Sequence, residues 1–350
     1  LMFSQKVVDV GGVKIGGKYP IVIQSMTNTD TSNVEKTLLQ IERLKNSGAQ
    51  IVRVSVRSKD DIQPFSEIVK KAKIPLVADI HFDYRLAIES IKAGASKVRI
   101  NPGNIGSDVK IREIVKVAKD YNVPIRVGSN SGSIAKEFSD LPRHKALAES
   151  ALKEVSLLEK EGFYDIVVSV KSVDAKETFE ANKYLAGLIP YPFHIGVTEA
   201  GVFEDAVILS SAGLGSLLIN DIGDTIRISI SGDPLREVEL AKDLLIALGL
   251  KKGVRVIACP TCARTEIDVE SLAYEVKRIL KGKEVKKNIT IAVMGCVVNG
   301  PGEAKHSDIA IVGTKNGSAA IFLKGELYGT IKRNDIKEKL FEVIEVFQNS

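Results

Sequence analysis

The sequence predicts an α/β protein: a (β/α)8 TIM barrel over residues 1–250, followed by a smaller α/β domain over residues 251–350. Three observations carry this. The chain has 350 residues, and at about 150 residues per domain that length gives two domains, or one large barrel with an addition. Eight short β-branched runs each lead into a stretch of helical apolar spacing, the pattern of repeated βα units around a parallel sheet. After residues 249–253 the alternation changes character. A doubly wound open sheet is the competing arrangement, but eight strand-helix pairs in about 230 residues match a closed barrel.

The eight runs are residues 21–26, 50–56, 75–80, 97–102, 124–130, 165–171, 192–198 and 225–231. The helical stretches that follow begin with 34–44, where Val34, Leu38, Leu39, Ile41 and Leu44 space as one apolar face and Ser32 or Asn33 supplies a cap. The others fall at 62–72, 84–93, 109–121, 144–161, 175–188, 203–217 and 235–248, with Gly48, Gly94, Gly162 and Gly249 where C-terminal caps belong. Before the first run, residues 7–10 and 13–15 flank Gly11-Gly12 and predict a hairpin plugging the bottom of the barrel. In the second domain, strands are expected at 254–258, 289–294, 309–312, 319–323 and 326–330, with helices at 269–280 and 334–347.

Composition narrows the function classes. Hydrophobic residues make up 44% and charged residues 27%, the balance of an ordinary soluble globular protein. The most apolar stretch, 206–219, is interrupted by serines and glycines and is too short to span a membrane. Residues 1–6 lack the basic-then-apolar pattern of a secretory signal, so a cytoplasmic protein is expected. The net charge of +5 is small for this length, aromatics are 5% and Trp is absent, which argues against a nucleic-acid binder. The basic patch 281–287 reads as a solvated surface loop. Three cysteines, an odd number, point away from a disulfide framework and toward metal or catalytic use.

Barrel enzymes gather their chemistry at the C-terminal ends of the strands. There this chain carries Arg53, Asp79, His81, Arg99, Asn101, Arg126, Asn130, Lys171, Glu199, Arg227 and Ser229. One reading pairs the arginines with buried carboxylates such as Asp79 or Glu199. However, four arginines and Lys171 outnumber those two, and the surplus positive charge predicts a phosphorylated, diphosphate-like ligand. The loops 128–132 (GSNSG) and 101–104 (NPGN) offer backbone donors to phosphate. His81, two residues after Asp79, is either a satisfied barrel histidine or a proton-transfer group.

Cys259-Pro260-Thr261-Cys262 ends a predicted strand, and Cys296 follows another. Three cysteines leave a fourth metal position to another ligand. Structural zinc with His306 and an iron-sulfur cubane with Glu303 both satisfy that arithmetic.

Seven ordered blocks sharpen the reading: VIQSMT at 22–27, ADIHF at 78–82, RINPGN at 99–104, RVGSNSG at 126–132, GVTEAG at 196–201, CPTC at 259–262 and NGPGE at 299–303. Together they resemble the signature blocks of the bacterial 4-hydroxy-3-methylbut-2-en-1-yl diphosphate synthases, in the two-domain form without the large plant-type insertion. The resemblance implies reductive opening of 2-C-methyl-D-erythritol 2,4-cyclodiphosphate with loss of water, in isoprenoid biosynthesis by the non-mevalonate pathway. It implies a [4Fe-4S] cluster on Cys259, Cys262, Cys296 and Glu303, electrons from ferredoxin or flavodoxin, and a homodimer in which the cluster domain of one chain caps the barrel of the other. The substrate would then contact Arg53, Asp79, Arg99, Asn101, Arg126, Asn130, Lys171, Arg227 and Ser229, with Glu199 or His81 as proton donor and Glu303 acting at the cluster. Two other classes stay open: a barrel aldolase or lyase with Lys171 as a Schiff-base nucleophile, and a non-catalytic binding protein.

Overall fold

The computed structural model describes residues 4–101, 105, 106, 108–132, 134–280, 285–314, 317–332 and 335–349. The chain divides into two compact units, Leu1–Leu244 and Leu245–Ser350. Helix Pro234–Ala247 spans that division. Ile246 lies in the second unit, where it packs so closely on Gly253 that a Cβ there would meet it at 2.3 Å.

The first unit opens with an antiparallel hairpin, β1 (Val7–Val10) and β2 (Val13–Gly16). Eight parallel strands follow: β3 (Val22–Met26), β4 (Ile51–Ser55), β5 (Leu76–Asp79), β6 (Lys97–Arg99), β7 (Ile125–Val127), β8 (Ile166–Val168), β9 (His194–Ile195) and β10 (Thr225–Ile226). They pair in the order β8-β7-β6-β5-β4-β3-β10-β9. A parallel bridge between Val168 and Phe193 joins the two ends, with the Val168 N–H donating to Pro192 O at 2.9 Å. The sheet therefore closes as a barrel. Every strand lies inside its predicted run but is shorter, because the residues past each ladder turn into the loops that carry the polar side chains.

The helices match the periodicity. Val34–Ser47 is capped by Asn33, whose side chain accepts from the Lys36 N–H, and ends at Gly48 in the left-handed conformation at φ +118°. Buried side chains of the hairpin (Val8, Val10, Ile15) cluster with Val22, Ile51, Val77 and Val167 near the N-terminal ends of their strands. This apolar plug fills the bottom of the barrel, as the Gly11-Gly12 hairpin predicted.

The second unit is a five-stranded sheet: β11 (Val254–Ala258), β12 (Ile289–Met294), β13 (Ile309–Gly313), β14 (Ser318–Leu323) and β15 (Glu326–Lys332), in that order. The first three strands are parallel and the last two antiparallel to their neighbours. Period-2 alternation sorts its faces. Ile289, Ile291 and Val293 join Val269, Leu272 and Val276 of helix Val269–Leu280 and Leu340, Val343 and Phe347 of helix Ile336–Asn349. Ala292 and Met294 join Ala310, Val312 and Ala304 of a short helix, Gly300–His306. That helix is not among the elements expected from the sequence; Pro near a helix start gives up an N–H that has no intrahelical partner anyway. No described helix is long and apolar enough to cross a membrane.

Candidate active site

Strand alternation places one set of side chains inside the barrel. At the C-terminal ends they line a cavity of about 150 Å³ formed by Arg53, Asp79, His81, Arg99, Arg126, Asn130, Lys171, Arg227 and Ser229, with Val127, Gly128, Ser169 and Thr198. Nine of the eleven barrel residues singled out from the sequence thus meet in one place. Asn101 is buried at the end of its strand but does not line the cavity, and Glu199 is solvent-exposed on the following loop. Glu199 has φ +52°, a left-handed conformation uncommon for a residue of its kind.

Asp79 organises the cationic wall. Its carboxylate lies 3.8 Å from Arg53 Nε, 3.4 Å from Arg99 and 3.5 Å from His81 Nε2. Burial opposes its ionisation, but Arg53, the His81 hydrogen bond, Arg99 and Arg126 outweigh that and hold the carboxyl well below the usual range. Arg53 also points Nε and a terminal nitrogen at Met26 Sδ, at 3.1 and 2.9 Å. Its guanidinium is lowered to about 10, burial dominating the pull of Asp79, so it is charged at neutral pH. The Arg99 guanidinium only donates, so at 3.0 Å His81 Nδ1 is the acceptor. The ring hydrogen therefore sits on Nε2, turned toward Asp79.

The second carboxylate is not Glu199. Glu237, on helix Pro234–Ala247, is buried, lies 3.3 Å from Arg227 and accepts the Ile230 N–H at 3.1 Å. Glu199 is excluded from this pairing by its exposure on the loop after β9. Glu237 went unread because it sits one helical turn inside an amphipathic helix; its spacing of ten residues from Arg227 was the available signal.

The cation excess is real. Four arginines and Lys171 face two carboxylates, and Arg126 is 3% exposed with one terminal nitrogen unpartnered. Burial, then Arg53 and Arg99, push its guanidinium well below the ordinary range. Such a cage has the charge and the donors to oppose an anion.

The sequence reading also missed a polar layer inside the barrel. Lys97, Gln24, His194 and Thr225 are fully buried, where TIM barrels ordinarily place Val, Ile and Leu. Lys97 Nζ donates to Gln24 Oε1 at 3.2 Å. Period 2 along the strands was the overlooked signal, since Lys97 precedes Arg99 by two and Thr225 precedes Arg227 by two. Burial keeps Lys97 and His194 well below their usual ranges.

Gly128 fixes the start of the 128–132 loop. At φ +141°, a Cβ there would lie 1.8 Å from Ser169 O, so only glycine fits between β7 and its neighbour. Its N–H donates to Glu154 at 2.7 Å. Of the other candidate phosphate loop, residues 102–104 lie outside the described residues, as do 281–284 of the basic patch.

In the second unit, Cys259 follows β11 and Cys296 follows β12, two adjacent parallel strands with Ala258 opposite Val293. Parallel pairing brings both loops to the same sheet edge, and the Gly295 N–H reaches Cys259 Sγ at 3.2 Å. Cys262, exposed, donates its N–H to Thr265 Oγ1 at 3.1 Å. Its thiol is drawn below the usual range by the Arg264 backbone N–H. All three cysteines are free. Glu303 is half-buried in the first turn of the short helix after Cys296. Among the described residues, no three His, Cys, Asp or Glu side chains are gathered closely enough to hold a metal ion.

A family model described as the GcpE TIM-barrel domain matches residues 5–242, and one described as the GcpE protein C-terminal domain matches residues 255–346. The chain is 55% identical over 336 residues, 96% of each chain, to the 4-hydroxy-3-methylbut-2-en-1-yl diphosphate synthase (flavodoxin) of Thermotoga petrophila. It is 52% identical over 344 residues to the protein of the same name from Caldanaerobacter subterraneus, covering 97% of this chain and 96% of that one. A solved dihydropteroate synthase from Stenotrophomonas maltophilia superposes with TM-score 0.52 at 12% identity, covering 70% of this chain and 97% of that one. At that identity the likeness shows the barrel fold alone. The two family models and the full-length identities together place this chain in the GcpE family, the 4-hydroxy-3-methylbut-2-en-1-yl diphosphate synthases.

Proposed function

We propose that this chain is the oxidoreductase that opens 2-C-methyl-D-erythritol 2,4-cyclodiphosphate to (E)-4-hydroxy-3-methylbut-2-en-1-yl diphosphate, with loss of water. The single observation that carries it is the cavity in which Arg53, Arg99, Arg126, Arg227 and Lys171 gather around Asp79, the one carboxylate among its described lining residues, with Glu237 paired to Arg227. Conversion of the cyclic diester into a linear monoester takes two electrons, delivered one at a time, and one net proton. The C2–O bond breaks toward phosphate, so negative charge grows on the diphosphate as the ring opens. Fixed guanidinium groups stabilise that growth because they are oriented before the reaction begins. Asn130 and Ser229 reach the same cavity and hydrogen-bond the ligand's oxygens. Asp79 aligns Arg53 and Arg99.

The proton for the departing hydroxyl comes from Glu199 or His81. His81 lines the cavity, but its Nε2–H faces Asp79 and must turn to serve. Glu199 is exposed on its loop and must move toward the ligand.

Three free cysteines on adjacent strand-end loops and a nearby half-buried carboxylate fit the donor chemistry of an iron-sulfur cluster, which favours thiolates. Cys259, Cys262, Cys296 and Glu303 would hold a [4Fe-4S] cluster. Such a cluster, when bound, supplies one-electron transfer. Flavodoxin is the donor that the relatives' names support. The reading carries with it a cytoplasmic homodimer in which the cluster domain of one chain caps the barrel of its partner.

The test is an anaerobic assay with reduced flavodoxin and the cyclodiphosphate, product detected by mass spectrometry. Wild type is expected to form the linear diphosphate, and Arg126→Met to lose at least about a hundredfold in kcat/KM, near 3 kcal/mol of transition-state stabilisation. Wild-type activity in Arg126→Met would overturn the cage assignment.

A further inference from the structure

We infer that Lys171 is the point at which substrate binding takes up a proton, the bound diphosphate favouring its ammonium. The inference rests on the diphosphate reading above. It adds a coupling that neither the fold nor the reaction requires.

Lys171 is held from both sides. Its backbone bridges Asn130, its N–H donates to Ser129 O at 3.1 Å, and its carbonyl accepts from Ser131 at 2.9 Å. The side chain is 7% exposed and lines the cavity. Its amine lies against the main chain of the next strand: at Gly196 a Cβ would come within 2.8 Å of Nζ and 3.2 Å of Cε. The nearest atom to that Cβ is Arg227 O at 2.5 Å, so Gly196 lets the Arg227 carbonyl and the Lys171 amine approach the same stretch of main chain.

The groups facing Lys171 are mostly of its own sign. Arg53 stands on β4, Arg99 on β6, Arg126 on β7 and Arg227 beyond β10, with His194 deeper on β9. The carboxylates are engaged elsewhere. Asp79 on β5 pairs with Arg53, Arg99 and His81, and Glu237 pairs with Arg227. From the flanking helices, Glu154 accepts the Gly128 N–H at 2.7 Å, and Glu177 takes the Ser172 hydroxyl and Arg143. Among the ion pairs of the described residues, none includes Lys171.

Four guanidinium groups keep their protons at any physiological pH, so of the five cage cations Lys171 is the one able to shed its charge. Burial, then Arg126, Arg227, Arg53 and Arg99, hold its ammonium well below the ordinary lysine range. A diphosphate reverses the balance by adding negative charge. The cyclic ligand is a diester whose phosphate groups are strongly acidic and do not titrate near neutrality, so a proton taken up on binding is the protein's. The bound state has the higher lysine pKa. Uptake therefore occurs between the free and bound values, and affinity falls as pH rises through that window. Lys97 and His194 do not line the cavity, and Lys97 is bonded to Gln24.

The experiment is calorimetric titration of the cyclodiphosphate into the oxidised holoenzyme without electron donor, in two buffers of unlike ionisation enthalpy, between about pH 6 and 9. Wild type is expected to take up as much as about one proton per ligand within that window, with affinity falling as pH rises. Lys171→Arg, charged throughout, should bind with uptake abolished; Lys171→Gln, neutral throughout, should bind more weakly with no uptake and a flat pH profile. Lys97→Met and His194→Gln should retain the wild-type uptake. Binding without proton uptake at every pH overturns the inference. So does uptake that survives in Lys171→Arg, or that disappears in Lys97→Met or His194→Gln. Absence of any binding by a folded wild-type protein is a different result, and overturns the diphosphate reading itself along with the inference.

Discussion

The barrel cavity and the cysteine loops are built on opposite plans. Arg53, Asp79, Arg99 and Arg126 project from strands, and their positions follow from ladder pairing and from ion pairs formed in the protein alone. Cys259, Cys262 and Cys296 lie beyond strand ends, half-buried or exposed. Cys259 packs at the margin of two clusters, the large core around Ile291 and Val293 and the small one of Ala292, Met294, Ala304, Ala310 and Val312. Groups that must oppose a charge with fixed geometry sit on rigid elements. Groups that bind a metal cofactor draw part of their order from the cofactor itself. Under the proposed function, the first region is organised before its ligand arrives and the second is completed by its ligand.

The largest effect that would break this contrast is at the loops. Cys296→Ser is expected to abolish iron retention and turnover while the barrel unfolds as in wild type, followed by iron content and by thermal melting of the folded chain. Full iron in that variant would contradict the ligand assignment. Next comes Asp79→Asn, which leaves Arg53 and Arg99 without their shared counter-ion and should cost about 3–5 kcal/mol in urea unfolding. Its sign with pH is fixed. The folded carboxyl is depressed, so its stabilisation is complete above the unfolded value of about 3.9 and is lost as pH falls below it. Wild type should therefore lose more stability in acid than the Asn variant. The smallest effect is Asn33→Ala, at a residue that does not line the cavity, where loss of the cap on helix Val34–Ser47 should cost about 1 kcal/mol and leave substrate affinity unchanged.

The same contrast decides how much was legible beforehand. Strands β3 to β10 were visible because parallel strands covered on both faces read as continuous β-branched runs, and the arginines were visible because they interrupt those runs. Glu237 was hidden inside a helix that needs no special residue there. For Lys97, Gln24, His194 and Thr225, period 2 marks the face they share with the arginines, but their full burial depends on closure of the barrel, which no local window contains. Helix Gly300–His306 was hidden by Gly300, Pro301 and Gly302, whose usual meaning is a turn. Glu199 was expected beside the arginines because it follows β9 closely, but the left-handed turn of its backbone leaves it exposed.

The most direct test of the central claim, that a cationic barrel cavity and three thiolates with Glu303 make one iron-dependent reductase, is anaerobic purification with iron and zinc analysis. Visible and EPR spectra would be recorded before and after dithionite reduction. The account predicts about four irons per chain, with absorption bleached on reduction. Stoichiometric zinc, with no iron even after anaerobic reconstitution, would contradict it.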